Sequence, residues 1–209
     1  MIYPKHNRLV KLFFDFYTKW ILKSDFDDFK IRGTVSDLDS KPLLVISNHY
    51  SWWDGFFIYR LNNLVFKKLF HVMMLEEELQ KRLFLRGLGV FGVKKGSRDA
   101  IRSLQFSKEL LKQHENMVLI FPQGKIESHH KHLFRFEKGI QKLVDSEADF
   151  NIVFVASLID GFYEKKLAAS LYMKNVSIKS DEKLDLEKSF NAFFAESLAA
   201  QNQLFLKEV

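Results

Sequence analysis

The stretch 43–58, LLVISNHYSWWDGFFI, constrains this chain more than any other. Leu43, Leu44, Val45 and Ile46 form an unbroken apolar run of strand length. A strand with no polar alternation has no solvent face, so both sides must be covered, as in a parallel or mixed sheet between layers of helix. The run stops at Ser47-Asn48-His49, and Asp54 follows five residues after His49, at the start of an aromatic, helix-like segment. A His just past a buried strand, with a carboxylate one turn further on, has the parts of a general base. Neutral imidazole can take a proton from a hydroxyl, and a carboxylate on its other nitrogen fixes the tautomer and stabilises the imidazolium. The plainer reading is a strand-end His beside an Asp that caps a helix.

The rest of the chain repeats the strand signal. The alternating segment 29–35 and apolar runs at 69–74, 90–93, 117–121, 152–158 and within 168–178 read as strands. Periodicity predicts helices over 4–23, after Asp54, and over 76–85, 97–114, 136–144 and 184–198. Pro4 suits a first helical turn, Ser97 suits an N-cap with Asp99 in the first turn, and Gly87 and Gly89 stop the 76–85 helix. No repeat, low-complexity tract or linker interrupts the 209 residues, a length that suits one domain. The expected fold is therefore α/β. It is a single domain over 1–209, with a mixed, largely parallel central sheet flanked by helices, an amphipathic helix over 1–24 and a motif-bearing core over 29–160. Ligands of such sheets gather at the carboxyl ends of strands. Three polar clusters fall at that kind of position: Asn48-His49, Lys94-Lys95-Gly96 and Pro122-Gln123-Gly124-Lys125.

Composition narrows the function classes. The absence of Cys excludes a disulfide framework, a thiolate zinc site and a Cys nucleophile. His129, His130 and His132 crowd one loop without evident supporting carboxylates, and no metal is expected. No run approaches ~18 apolar residues, so no transmembrane helix is expected. No small-residue cleavage site follows a short apolar core at the N-terminus, so no signal peptide is expected either. A formal charge of +6 and 22 Phe favour anionic partners and suit a membrane interface. No nucleic-acid-binding motif accompanies the charge, and no nucleic-acid partner is expected. Over 4–23, Leu9, Leu12, Phe13, Phe16 and Trp20 recur at helical spacing among Lys5, Arg8, Lys11, Lys19 and Lys23. That pattern belongs to a helix lying on a membrane surface; the alternative is a helix packed on the domain's own core.

Asn48-His49-Tyr50-Ser51-Trp52-Trp53-Asp54, read as Asn-His-x-Ser-x-x-Asp after a buried strand, resembles the first motif of the glycerophosphate and lysophospholipid acyltransferase family (1-acyl-glycerol-phosphate acyltransferase-like). Later segments follow in that family's order. Met74-Leu75-Glu76-Glu77-Glu78-Leu79 resembles its Lys-x-Glu-Leu stretch. Gly89-Val90-Phe91-Gly92-Val93-Lys94-Lys95 resembles Gly-x-x-Phe-Ile-x-Arg, with Lys95 at the Arg position, a point charge in place of a bidentate fork. Ile120-Phe121-Pro122-Gln123-Gly124-Lys125 resembles Phe-Pro-Glu-Gly-Thr-Arg, with Gln123 for Glu, Lys125 for Thr and Ile126 at the Arg position. The Phe-Pro-Gln-Gly form is similar to that of a bacterial subgroup. Phe134-Arg135-Phe136-Glu137-Lys138-Gly139 resembles the Phe-Lys-x-Gly that follows this motif, and Ile152-Val153-Phe154-Val155-Ala156 resembles Val-Pro-Val with Phe154 for Pro.

The resemblance implies a glycerophosphate acyltransferase-like fold and an O-acyltransferase. The acyl donor would be acyl-CoA or acyl-carrier protein, as substrate, with no cofactor and no metal. The acceptor would be a hydroxyl of a lysophospholipid or related lipid. His49 becomes the general base and Asp54 its orienting partner. Asn48, Ser51, Lys94, Lys95, Gln123, Gly124, Lys125 and Arg135 become candidate substrate-binding residues. Backbone N–H groups near Gly124 or at a following helix start are the expected oxyanion donors. The implied location is peripheral, on the cytoplasmic face of the inner membrane. The departures in the second and third blocks bear on the glycerol-phosphate acceptor: if Lys95 and Arg135 do not supply its anion site, the acceptor would be an amino lipid, a sphingoid-like lipid or a glycosylated pigment. Plainer roles exist for several candidates: Ser51 as a helix N-cap, Trp52 and Trp53 as core, Lys94 and Lys95 as a solvated turn. The rival function is a non-catalytic lipid-binding module on the same fold; such a module is expected to lose His49 or Asp54, and this chain keeps both.

Overall fold

The computed structural model describes residues 1–36, 38, 40–94, 97–144, 149–161, 165–176 and 184–208. Its strands are β1 (Phe26–Arg32), β2 (Leu43–Ser47), β3 (Leu69–Leu75), β4 (Val90–Val93), β5 (Asn116–Ile120), β6 (Asn151–Asp160) and β7 (Leu167–Val176). They form one sheet in the order β1-β7-β6-β2-β5-β3-β4. Every neighbouring pair is parallel except β6 and β7, so the sheet is mixed and largely parallel, as the apolar runs require.

Both faces are covered. Leu43, Val45, Met117, Leu119, Val153 and Val155 share one apolar layer with Phe14 and Leu22 of α1 (Arg8–Asp25) and Phe57 and Leu61 of α2 (Asp54–Leu61). Leu44, Ile46, Val118, Ile120, Ile152 and Phe154 share the other with Phe190 and Phe194 of α5 (Leu186–Glu208) and with Leu111, just past α4 (Ser97–Leu110). Successive residues of a strand point to opposite faces, so a strand buried on both sides reads as a continuous apolar run.

The helices depart from expectation where local backbone chemistry overrides periodicity. The first helix begins at Arg8 because Asn7 caps it: the Asn7 Oδ1 accepts from the N–H groups of Leu9 and Val10. Pro4 lies in an extended arm. Lys5 and Asn7 donate their N–H groups to the carbonyls of Arg86 and Gly87, and Gly92 donates to Ile2. The 76–85 helix splits into α3 (Glu76–Gln80) and a 3-10 segment, Leu83–Leu88, which ends at Gly89 with φ 98°. The helix expected over 136–144 is a single 3-10 turn, Ile140–Leu143, because Gly139 before it sits at φ 106°, a left-handed conformation that breaks helical continuity. The last helix is longer than 184–198 at its C-terminal end.

The N-terminal arm makes stability pH-dependent. The His6 and His71 rings meet edge-on at 4.8 Å. His71 is buried, and among the described residues its Nδ1 has no partner while its Nε2 lies 3.3 Å from Asn116 Oδ1. Burial, reinforced by His6, pushes His71 down to about 4 from an ordinary value of 6.5, and burial also lowers His6. Between those values the unfolded chain binds a proton that the folded chain refuses. Stability is therefore full above pH 6.5 and falls as pH drops toward 4, with His71 contributing up to about 3 kcal/mol. Urea unfolding at pH 7 and pH 4.5 measures this loss, and His71→Gln flattens it.

Candidate active site

β2 lies between β5 and β6 and runs parallel to both. Their carboxyl ends therefore open on one edge of the sheet. Ile46 and Ile120 are register partners, so the chain leaves β2 and β5 side by side. That brings His49, two residues past β2, against Phe121, the first residue past β5. The two rings stack with centroids 4.2 Å apart and planes 15° apart, which sets the plane of the imidazole.

The other constraint on His49 is Asp54, the first residue of α2. His49 Nδ1 lies 2.9 Å from Asp54 Oδ2. The Asp54 carboxylate is fully buried, a costly place for an unpartnered charge. It is well supplied with donors: the Tyr50 N–H at 2.7 Å and the Ser51 N–H at 2.8 Å reach Oδ2, and the Ser51 hydroxyl reaches Oδ1 at 3.2 Å. The Ser51 hydroxyl in turn accepts from the Trp53 N–H. Ser51 thus serves the turn into α2. The 49–54 loop is wound around one carboxylate. Because that carboxylate accepts from Nδ1–H, the proton of the neutral imidazole sits on Nδ1 and the lone pair on Nε2. The His49 side chain is 22% exposed. These are the properties of a positioned general base.

Asn48 faces the opposite way. Its Nδ2 donates to the Ser157 carbonyl at 2.9 Å, and its Oδ1 accepts from the Ser157 N–H at 2.8 Å. The side chain carries the β2–β6 ladder one step beyond the strand, and both its polar ends are used in holding the loop. Asn48→Ala leaves buried backbone groups of Ser157 unpartnered. It is expected to lower stability by roughly 1–3 kcal/mol, read as a shift in the urea midpoint.

The third block forms a second loop laced to the first. Gly124 sits at φ 65°, a left-handed conformation that favours Gly, and a Cβ there would press on the Glu137 side chain at 3.0 Å. The Gly124 N–H donates to the Phe121 carbonyl. The N–H of Gly124 itself is thus committed to closing a turn, and 125–139 contains no helix start. The Glu127 N–H donates to the His49 carbonyl at 2.9 Å. The Tyr50 hydroxyl bonds to the Lys131 carbonyl, and Lys131 Nζ pairs with the Glu127 carboxylate. Gln123 is buried, and neither end of its amide has a hydrogen-bond partner among the described residues. Such a group costs roughly 1–3 kcal/mol, and Gln123 is alone among the described sequence candidates in that state.

The candidate cations are exposed and each stands near a carboxylate. Lys94 Nζ lies 3.7 Å from Glu76, Lys125 Nζ 3.9 Å from Glu127, and Arg135 Nη1 3.6 Å from Glu187. Lys95 lies outside the described residues. The structure therefore brings His49, Asp54 and Ser51 together, with the Gln123-Gly124 turn joined through Phe121, and it places Asn48 and Arg135 in other contacts. Phe121, Tyr50 and Glu127 were not assigned roles from sequence. Phe121 carries a usable signal, since it follows the strand that neighbours β2; the Glu127 tether carries none.

A family model described as Acyltransferase matches residues 28–157. No curated protein matches the chain. Among solved structures, the 1-acyl-sn-glycerophosphate (LPA) acyltransferase PlsC from Thermotoga maritima is similar, with a TM-score of 0.56 and 14% identity over 94% of this chain and 79% of that one. At that identity the likeness is one of fold.

Proposed function

The chain belongs to the Acyltransferase family, and from that membership we propose that it moves a fatty acyl group from a thioester, acyl-CoA or acyl-carrier protein, to a hydroxyl of a lysophospholipid or related lipid. The observation that carries this reading is the His49–Asp54 pair, with its tautomer set by a buried, three-fold donor-satisfied carboxylate. A lipid-binding module has no use for an imidazole prepared in this way.

His49 Nε2 takes the hydroxyl proton as the hydroxyl oxygen attacks the thioester carbonyl carbon. Asp54 stabilises the imidazolium that results. The tetrahedral intermediate collapses with cleavage of the C–S bond, and the proton on Nε2 passes to the leaving thiolate. The products are an ester and a thiol. Gln123, buried and without a hydrogen-bond partner among the described residues, is the group best suited to meet the acceptor, and an amide there replaces a family carboxylate.

The acceptor and donor are amphiphiles, which fits a peripheral site on a membrane. Leu9, Leu12, Phe13, Phe16 and Trp20 of α1 are all more than half exposed, and no helix among the described residues is long and apolar enough to cross a bilayer. The α1 stripe suits a helix lying in the interface. The reading is tested by following thiol release from acyl-CoA and from acyl-carrier protein with and without lysolipid. Release that requires lysolipid supports acyl transfer; equal release without it makes the protein a thioesterase and removes the proposal.

A further inference from the structure

We infer that the catalytic loop is itself part of the surface that meets the bilayer, with Trp52 as its anchor. The inference rests on the membrane reading above and extends it from the N-terminal helix to the loop that carries His49.

α1 presents three faces. Phe14, Thr18 and Leu22 are buried toward the sheet. Arg8, Lys19 and Lys23 fall on a basic face that borders the exposed positions, and Lys11 lies toward the buried side, pairing with Asp15, which Tyr59 and Asn63 also engage. Leu9, Leu12, Phe13, Phe16 and Trp20 form an exposed apolar stripe between the two.

The stripe does not end at the helix. Phe13 and Trp20 adjoin Tyr17 at 6.0 and 6.2 Å, Tyr17 adjoins Phe56 at 6.1 Å, and Phe56 adjoins Trp52 at 4.5 Å. Trp52 is 54% exposed. Tyr17 is half-buried and Phe56 is buried, so a line of ring contacts, part of it beneath the surface, links the α1 stripe to the exposed Trp52 of the 49–54 loop. The hydrogen bonds that hold Asp54 come from Tyr50, Ser51 and His49, so the Trp52 indole is free of that work. A large exposed apolar side chain linked by ring contacts to an exposed apolar stripe marks a face that something covers.

Charge and residue type select a lipid surface as the occupant. Trp, Tyr and Phe are the side chains of the membrane–water interface. The basic face beside the stripe complements anionic headgroups. A second copy of this chain would instead bring two basic faces together.

The test uses the full chain and vesicles containing phosphatidylglycerol. The chain has three Trp, so Trp20→Phe with Trp53→Phe leaves Trp52 as the only indole. Its emission is expected to shift to the blue on vesicle addition and to be quenched by brominated acyl chains. Trp52→Ala in the otherwise unchanged chain is expected to weaken vesicle partitioning by roughly tenfold, the order expected for one partly buried aromatic side chain. Binding with Trp52 unquenched and Trp52→Ala unchanged overturns the anchor and leaves the α1 reading standing. Failure of the unaltered chain to bind vesicles overturns both. A lipid-free dimer by sedimentation, with Trp52 emission already blue-shifted, also overturns the inference and assigns the face to a second copy.

Discussion

Replacing His49 by Ala is expected to lower the acyl transfer rate by about 10²–10⁴-fold, the range supplied by a positioned general base. The same change is expected to leave the fold nearly untouched. The ring is partly exposed, and its main contacts are the Phe121 stack and one bond to Asp54. Without the imidazole, Asp54 Oδ2 still receives the Tyr50 and Ser51 N–H groups, and the Glu127 tether to residue 49 uses the backbone carbonyl, which Ala retains. A variant that loses turnover while its urea midpoint stays within about 1 kcal/mol of the original separates chemistry from scaffolding.

Asp54 has two tasks, and two substitutions divide them. Asp54→Asn keeps the shape and an oxygen that can accept from the loop. It removes the negative charge that stabilises the imidazolium, so turnover is expected to fall by about 10²–10⁴-fold with modest loss of stability. Asp54→Ala also removes the acceptor around which the 49–54 loop is wound. The buried Tyr50 N–H then costs roughly 1–3 kcal/mol and the half-buried Ser51 N–H also loses its acceptor, so the unfolding midpoint falls as well as the rate. Turnover and urea unfolding measured on both variants check the division. Equal stability of the Ala and Asn variants would contradict a scaffolding role for the carboxylate.

The parts of this fold that were readable from sequence are those set by local pattern and by sidedness. The runs at 43–46, 117–121 and 152–158 announced strands covered on both faces, and the order of strands and helices announced a mostly parallel sheet. Residues 48–54 announced the pairing of His49 with Asp54 because a short loop with fixed spacing leaves few ways for a carboxylate to meet an imidazole. What could not be read depends on distant neighbours at Pro4 and Asn48 and on single backbone conformations at Gly139 and Gly124. Pro4 fits a helix start by local rules, but the backbone of 86–92 holds the arm extended and Asn7 takes the cap. The periodicity of 136–144 is helical, but Gly139 turns the chain left-handed. Asn48 looks like a binding residue beside His49, yet its partner is 109 residues away on β6. The N–H of Gly124 itself closes a turn on Phe121, which the sequence does not show. Pattern predicted which residues stand near the site; tertiary hydrogen bonds decided what each does there.

The central claim is that His49 activates a lipid hydroxyl for attack on an acyl thioester. Its most direct test is the ester product itself. A donor carrying a labelled acyl chain, on coenzyme A or on acyl-carrier protein, is incubated with a panel of lysolipids in vesicles, and labelled ester is quantified for the unaltered chain and for His49→Ala. The account predicts labelled ester from at least one lysolipid, reduced by about 10²–10⁴-fold in the variant. No ester from any pairing of donor and acceptor, or ester formed equally well by the variant, would contradict it.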